Sequence, residues 1–124
     1  MYQINWILIG ITCAFMLFDI VTGFAAAAKN GELDSKVMKS GLFHKAGFIG
    51  VMALAVMIEF AASYGAMEYA DVNISVPLLP FVCGYIIVTE TVSVLENLIK
   101  LNPEIANEKL LKLFGKEAKD GDSD

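Results

Sequence analysis

Residues 4–28 read INWILIGITCAFMLFDIVTGFAAAA, and this stretch decides the class of fold. Asp19 is its only charged side chain, and no lysine precedes it. At a rise of about 1.5 Å per residue, a helix of this length exceeds the hydrocarbon thickness of a bilayer, which is about 30 Å. We therefore predict that residues 4–28 form a membrane span and not a cleaved signal peptide, which normally begins with positive charge.

Two further apolar blocks have the same character. Residues 46–67 carry one charge, Glu59, and residues 75–99 carry two, Glu90 and Glu96. Each block is long enough to cross a bilayer as a helix. The sequence therefore predicts three membrane spans.

Prolines locate the start of the third span. Pro77 and Pro80 lie close together, and proline is tolerated in the first turn of a helix because the N–H group that it lacks has no partner there. The helix is therefore expected to begin between Ser75 and Pro80. Together the three blocks predict an all-α membrane protein, with residues 1–114 as a single domain.

The composition excludes several classes of protein. Hydrophobic residues make up 56% of the chain and charged residues 19%, which is too apolar a balance for a soluble enzyme domain. Cys13 and Cys83 both lie in apolar blocks, which excludes a disulfide-linked secreted module. The chain has no arginine, which argues against nucleic acid as a partner. Because His44 is the only histidine and no nucleophile and base can be paired, we predict no metal, no other cofactor and no catalytic residues.

Polar segments flank the spans. Residues 29–45 carry four lysines, and a short amphipathic helix is expected from Ser35 onward. After the third span, Asn102 is expected to cap an amphipathic cytoplasmic helix over residues 103–114, whose first position is a proline. Residues 115–124 are rich in charge and are expected to form a disordered acidic tail.

The lysines also predict the orientation in the membrane. Short loops rich in lysine stay on the cytoplasmic side, and lysines lie between the first two spans and after the third. The segment before the first span and the turn between the second and third spans carry none. We therefore expect the N-terminus outside and the C-terminus in the cytoplasm.

Polar side chains recur along the faces of the predicted spans. They are Asn5, Thr12, Asp19 and Thr22 in the first span, Glu59 in the second, and Glu90, Ser93, Glu96 and Asn97 in the third. An acidic side chain inside a membrane costs about 2.5–3.5 kcal/mol, so each should face protein, water or a partner. Two interpretations stay open, since these residues either bond the helices of one bundle or line a water-filled path or interface in an oligomer. Lys45, at the start of the second span, is within reach of Asp19 or Glu90 as an ion-pair partner.

Small residues recur four positions apart in the first two spans. Gly10, Gly23, Gly50 and Gly65 each lie four residues from an alanine. This spacing lets helices approach closely in a membrane. We therefore expect close helix packing at these four glycines.

The order and spacing of several short motifs resemble one known family. The motifs are Asp19-Ile20-Val21-Thr22-Gly23, Ser35-Lys36, Gly41-Leu42, Lys45, Tyr85 and the block TETVSVLEN from Thr89 to Asn97. They resemble those of the toxin-secretion and phage-lysis holins, small three-span proteins of phages of Gram-positive bacteria and of clostridial toxin loci. The resemblance covers about residues 4–114. The chain departs from the pattern at Thr89, where asparagine is common, and in the mixed charge of its tail.

The resemblance implies a protein that oligomerises with itself in the bilayer of the host's cytoplasmic membrane and opens lesions there. An endolysin or a toxin then leaves through the lesions as cargo, without specific binding, and the host cell lyses. The residues alone leave two other functions open. These are a small ion channel or transporter, and a structural membrane subunit of a larger complex.

Overall fold

Three long helices make up most of the fold. The computed structural model describes residues 2–68, 77–106 and 112–113. Helix α1 spans Trp6–Asn30, α2 spans Ser35–Glu68 and α3 spans Leu78–Leu101. All three are long and apolar enough to cross a membrane, so the prediction of an all-helical protein with three spans is confirmed.

Helix α1 has a defined start and end. The Oδ1 atom of Asn5 accepts a hydrogen bond from the Leu8 N–H at 3.0 Å, which satisfies one of the free donors of the first turn. Gly31 ends the helix in the left-handed conformation (φ 67°), which glycine adopts without steric cost. Asn5 was expected on a polar face, but in the structure its side chain caps the helix.

Helix α2 begins earlier than expected. The sequence predicted a span over residues 46–67 after a polar loop over residues 29–45, whereas the structure has one helix over Ser35–Glu68. The loop is short because the Asp34 side chain accepts the Lys36 N–H at 2.9 Å and so caps the start of the helix. The amphipathic helix expected from Ser35 is therefore the first part of α2.

The other two spans lie close to their predicted positions. Helix α1 is shifted two residues along the chain from the predicted 4–28. Helix α3 begins at Leu78, inside the window set by the two prolines, and ends at Leu101 where residue 99 was expected. The turn between α2 and α3 lies outside the described residues.

Helix α3 packs against both other helices, whereas α1 and α2 contact each other much less. Contacts of Lys29 with Leu101 and of Glu59 with Leu79 show that α1 and α3 run parallel and α2 runs antiparallel to them. We call the two ends of the bundle the Tyr2 end and the Lys29 end. The buried core consists of Met16, Met52, Ala55, Leu79, Cys83 and Ile86.

The chain after α3 begins with a tight turn. Asn102 accepts a hydrogen bond from the Glu104 N–H at 3.2 Å, and Pro103 takes the first position, as expected. The turn itself is a 3₁₀ helix over Pro103–Ile105, in place of the first turn of the α-helix expected over residues 103–114. Most of that expected helix and the expected tail over residues 115–124 lie outside the described residues.

Candidate functional site

Three charged side chains, one from each helix, meet inside the bundle. The Lys45 Nζ atom lies 2.6 Å from Asp19 Oδ2 and donates to Glu90 Oε1 at 2.9 Å and Oε2 at 3.2 Å. We call Asp19, Lys45 and Glu90 the charge cluster. The sequence placed Lys45 within reach of one carboxylate, and the structure brings it to both.

The charge cluster is shielded from the surroundings of the bundle. Glu90 is 2% exposed, and the side chains of Lys45 and Asp19 are 11% and 13% exposed. Buried charges are tolerated only when they are paired and hydrogen-bonded, and here the lysine serves two carboxylates. With all three groups ionised, the cluster holds one negative charge more than positive.

The Asn97 side chain joins α3 to α1 beside the cluster. Its Nδ2 atom donates to Asp19 Oδ1 at 2.9 Å and lies 3.0 Å from Thr22 Oγ1. A Cβ atom on Gly23 would lie 3.4 Å from Asn97 Nδ2, so α1 and α3 approach closely here. The Asp19-x-x-Thr22-Gly23 motif of α1 and the last residue of the Glu90-to-Asn97 block of α3 therefore form one contact.

Threonine hydroxyls in the spans bond to their own helices. Thr22 Oγ1 donates to the Phe18 carbonyl at 2.9 Å, and Thr12 Oγ1 donates to the Leu8 carbonyl at 2.8 Å. Thr12 is fully buried, so its hydroxyl is satisfied without a partner from another helix.

A cavity leads from the Lys29 end towards the charge cluster. Its volume is about 360 Å³. Glu32 and Asp34, from the loop between α1 and α2, line one part of it, and Lys45, Ser93 and Asn97 line another. The walls between them are mostly apolar, with Phe24, Met38 and Leu42 among the lining residues. The cavity therefore connects the loop between α1 and α2 with the polar groups at the charge cluster.

Glu59 forms a second polar contact, at the Tyr2 end. Its carboxylate accepts a hydrogen bond from the Tyr2 hydroxyl at 2.6 Å and another from the Leu79 N–H at 2.7 Å. Pro77 provides no side-chain cap for α3, so Glu59 of α2 satisfies a free donor at the start of α3. Burial, together with the hydrogen bond to Glu59, raises the pKa of the Tyr2 hydroxyl from 10 to about 12. We call Tyr2, Glu59 and Leu79 the Tyr2 contact.

The sequence did not single out Tyr2 or Leu79. Tyr2 precedes the first span, and Leu79 takes part through its backbone N–H, which has no signature in the side-chain pattern. Pro77, whose side chain has no acceptor to cap a helix, is the signal that could have indicated an acceptor from another helix.

The other residues from the sequence analysis differ in how close they lie to the two contacts. Glu96 is exposed on α3, whereas Ser93 is half-buried beside the cavity and its side chain is a hydrogen-bond partner of Asp19. Among the residues that the structure describes, a Cβ atom at Gly10, Gly50 or Gly65 would meet nothing within 4 Å, so of these four glycines only Gly23 packs closely against another described helix. The described residues contain no group of three or more His, Cys, Asp or Glu side chains that could hold a metal ion.

The three apolar helices and their buried charges define the class of protein. It is a small multi-pass membrane protein in which Asp19, Lys45 and Glu90 are turned inward and bonded to one another. Comparison with known families then gives a specific result, because the bacteriophage holin family matches residues 2–116. The chain belongs to the bacteriophage holin family, which is not an enzyme family, and is a multi-pass protein of the cytoplasmic membrane. No curated protein and no solved structure matches the chain.

Proposed function

We propose that this protein is a holin that oligomerises in the cytoplasmic membrane and opens lesions through which an endolysin or a toxin leaves the cell. The observation that supports it most strongly is Lys45, which bridges Asp19 and Glu90 within a single bundle. In this arrangement the bundle shields these three charges from lipid. It can therefore accumulate in the membrane without forming a path for water.

Opening reverses this arrangement. If α1, α2 and α3 separate at the charge cluster, three ionised groups and Asn97 are released from one another. Such groups are costly in hydrocarbon, at about 2.5–3.5 kcal/mol each on insertion scales, but they are well hydrated in water. The separated helices therefore favour an oligomer in which these faces line water. Asp19 and Glu90 lie on the surface that changes partners.

The lysine distribution supports the orientation of the chain, with the N-terminus outside and the Lys29 end in the cytoplasm. In that orientation the cavity faces the cytoplasm. The lesion passes endolysin or toxin by size and without specific binding. Polar residues of the three spans line the lesion or the interfaces between copies.

Inducible expression of the chain alone in bacteria tests this function. The assay follows membrane potential, viability and the release of two cytoplasmic reporters, a small dye and a folded protein. A delayed and abrupt depolarisation, with escape of the folded protein, is the expected result. Confirmed expression in the membrane without depolarisation would contradict the proposal.

A small ion channel is a second candidate, favoured by the cavity that leads to the charge cluster from one end. A channel would depolarise the cell while retaining the folded protein reporter. Release of the folded protein therefore distinguishes the holin from the channel in the same experiment.

A further inference from the structure

Glu96 is an acidic residue within a membrane span, and its side chain is exposed. It lies in α3, five residues before the helix ends at Leu101. Among residues 2–68 and 77–106, the structure shows no ion pair or hydrogen bond to its carboxylate, whereas Glu90 on the same helix is bonded twice by Lys45. A carboxylate on the outer surface of a membrane helix requires a cation or water.

Lys39 is exposed on the outer surface of α2. At about 100° per residue, Lys39 lies on the side of α2 opposite the buried residues Met52 and Ala55. It therefore points away from its own bundle. Within the described residues, α3 thus presents Glu96 without a partner, and α2 presents Lys39 on its far side.

The two residues lie at the same depth in the membrane. Lys45 and Glu90 are in contact, and α2 and α3 run in opposite directions. Glu96 lies six positions from Glu90, and Lys39 lies six positions from Lys45. Both steps lead towards the Lys29 end. At about 1.5 Å per residue, both lie about 9 Å from the level of the charge cluster.

When copies insert in the same orientation, Glu96 of one copy and Lys39 of the next lie at the same depth in the membrane. We propose a head-to-tail interface between copies of this chain, in which Glu96 on α3 of one copy pairs with Lys39 on α2 of the next. This inference rests on the proposed function, because it names the surfaces through which the oligomer forms. The two surfaces differ, so the contact repeats from copy to copy and can close into a ring.

The Glu96 face of α3 and the Lys39 face of α2 also complement each other at a second depth, where a large side chain lies opposite a glycine. Gly50 follows Lys39 by eleven residues and Tyr85 precedes Glu96 by eleven, so each lies on the same helix face as its charged residue and at equal depth. Gly50 has no side chain, and a Cβ atom there would meet nothing within 4 Å. Tyr85 is 67% exposed. The ring of Tyr85 in one copy therefore has room against Gly50 of the next.

Disulfide cross-linking in membranes tests the interface. The variant carrying both Lys39→Cys and Glu96→Cys is oxidised in isolated membranes and separated on a non-reducing gel. We expect a ladder of dimers, trimers and larger species, since each copy has two different surfaces. The matched control pairs Glu96→Cys with Ser40→Cys, because Ser40 is also exposed and lies within about 1.5 Å of Lys39 in depth, but about 100° round the helix from it. The wild-type chain controls for Cys13 and Cys83.

The interface is overturned if the Lys39/Glu96 pair stays monomeric, or if the Ser40 control gives the same ladder. Charge exchange provides an independent readout through lesion formation. Lys39→Glu and Glu96→Lys should each lose release of the folded reporter, and the double variant should regain it. Release by both single variants would also overturn the interface.

The two proposals fail in different ways. A ladder without reporter release from the wild-type chain would leave the interface standing and contradict the holin function. Reporter release from the wild-type chain without a ladder would leave the function standing and contradict the interface.

Discussion

The charge cluster and the Tyr2 contact both hold carboxylates within the bundle, but with different partners. At the charge cluster, two carboxylates share one lysine. At the Tyr2 contact, Glu59 accepts hydrogen bonds from a hydroxyl and a backbone N–H, both neutral donors. The two levels lie fourteen residues apart along α2, about 21 Å.

This difference in partners determines how strongly each contact is destabilised when one partner side chain is removed. At the charge cluster, loss of the lysine leaves two buried carboxylates that repel each other. At the Tyr2 contact, loss of the tyrosine leaves Glu59 with the Leu79 N–H. The charge cluster is therefore the level at which a single change can force the helices apart, while the Tyr2 contact mainly fixes the start of α3.

The largest effect is expected from Lys45→Met, which removes the cation and keeps the length of the side chain. Breaking a buried ion pair by removing one partner costs about 3–5 kcal/mol, because the remaining charge stays uncompensated. We expect a stability loss of this size, measured by unfolding of the purified protein in mild detergent. Lys36→Met is the control, since Lys36 is exposed and outside the cluster. Equal stability of the two variants would contradict the role of Lys45.

A smaller effect is expected from Asp19→Asn or Glu90→Gln. Each leaves one lysine and one carboxylate, so the charges balance, but one amide N–H₂ group then faces another donor. Losing a hydrogen bond to a charged group costs about 1.5–3 kcal/mol. Lysis should begin earlier in each variant than in the wild-type chain. Unchanged timing at unchanged membrane levels would count against these residues.

Tyr2→Phe probes the Tyr2 contact. It should lower the stability of the bundle by less, about 1 kcal/mol, since Glu59 keeps its bond to Leu79. The effect depends on pH. The pKa of Tyr2 is raised from 10 to about 12, so its contribution to stability is fully present below pH 10 and is lost as the pH rises towards 12. The stability difference between wild type and variant should therefore shrink over this range. A difference that stays constant up to pH 12 would refute the Tyr2 contact.

The smallest effect compares Gly23→Ala with Gly10→Ala. Alanine in a helix is favoured over glycine by about 0.5–1 kcal/mol, and at Gly10 nothing within 4 Å opposes the new methyl group. At Gly23 the methyl group would lie 3.4 Å from Asn97 Nδ2, at the close limit of van der Waals contact, where it disturbs the bond from Asn97 to Asp19. Gly10→Ala should therefore stabilise the bundle in detergent and Gly23→Ala should not. Equal stabilisation by both would show that α1 and α3 are not closely packed at Gly23.

The sequence predicted the three spans because apolar length is a strong signal, and it singled out all three residues of the charge cluster because charges inside a membrane helix are conspicuous. It did not predict that Asp19 and Glu90 both bind the same lysine. Whether Lys45 meets one carboxylate or two depends on how three helices pack, which spacing along a single helix does not encode. The early start of α2 was also missed, because the lysines of residues 29–45 were interpreted as a polar loop.

Onset of reporter release in three chains tests the central claim, that the charge cluster keeps the bundle closed. The chains are wild type, Lys45→Met, and the triple variant Lys45→Met, Asp19→Asn, Glu90→Gln, compared at equal membrane levels. Uncompensated carboxylates favour water, so Lys45→Met should open early. The triple variant has no charge to hydrate at this level, so it should open later than wild type. The same onset in all three chains would contradict the claim.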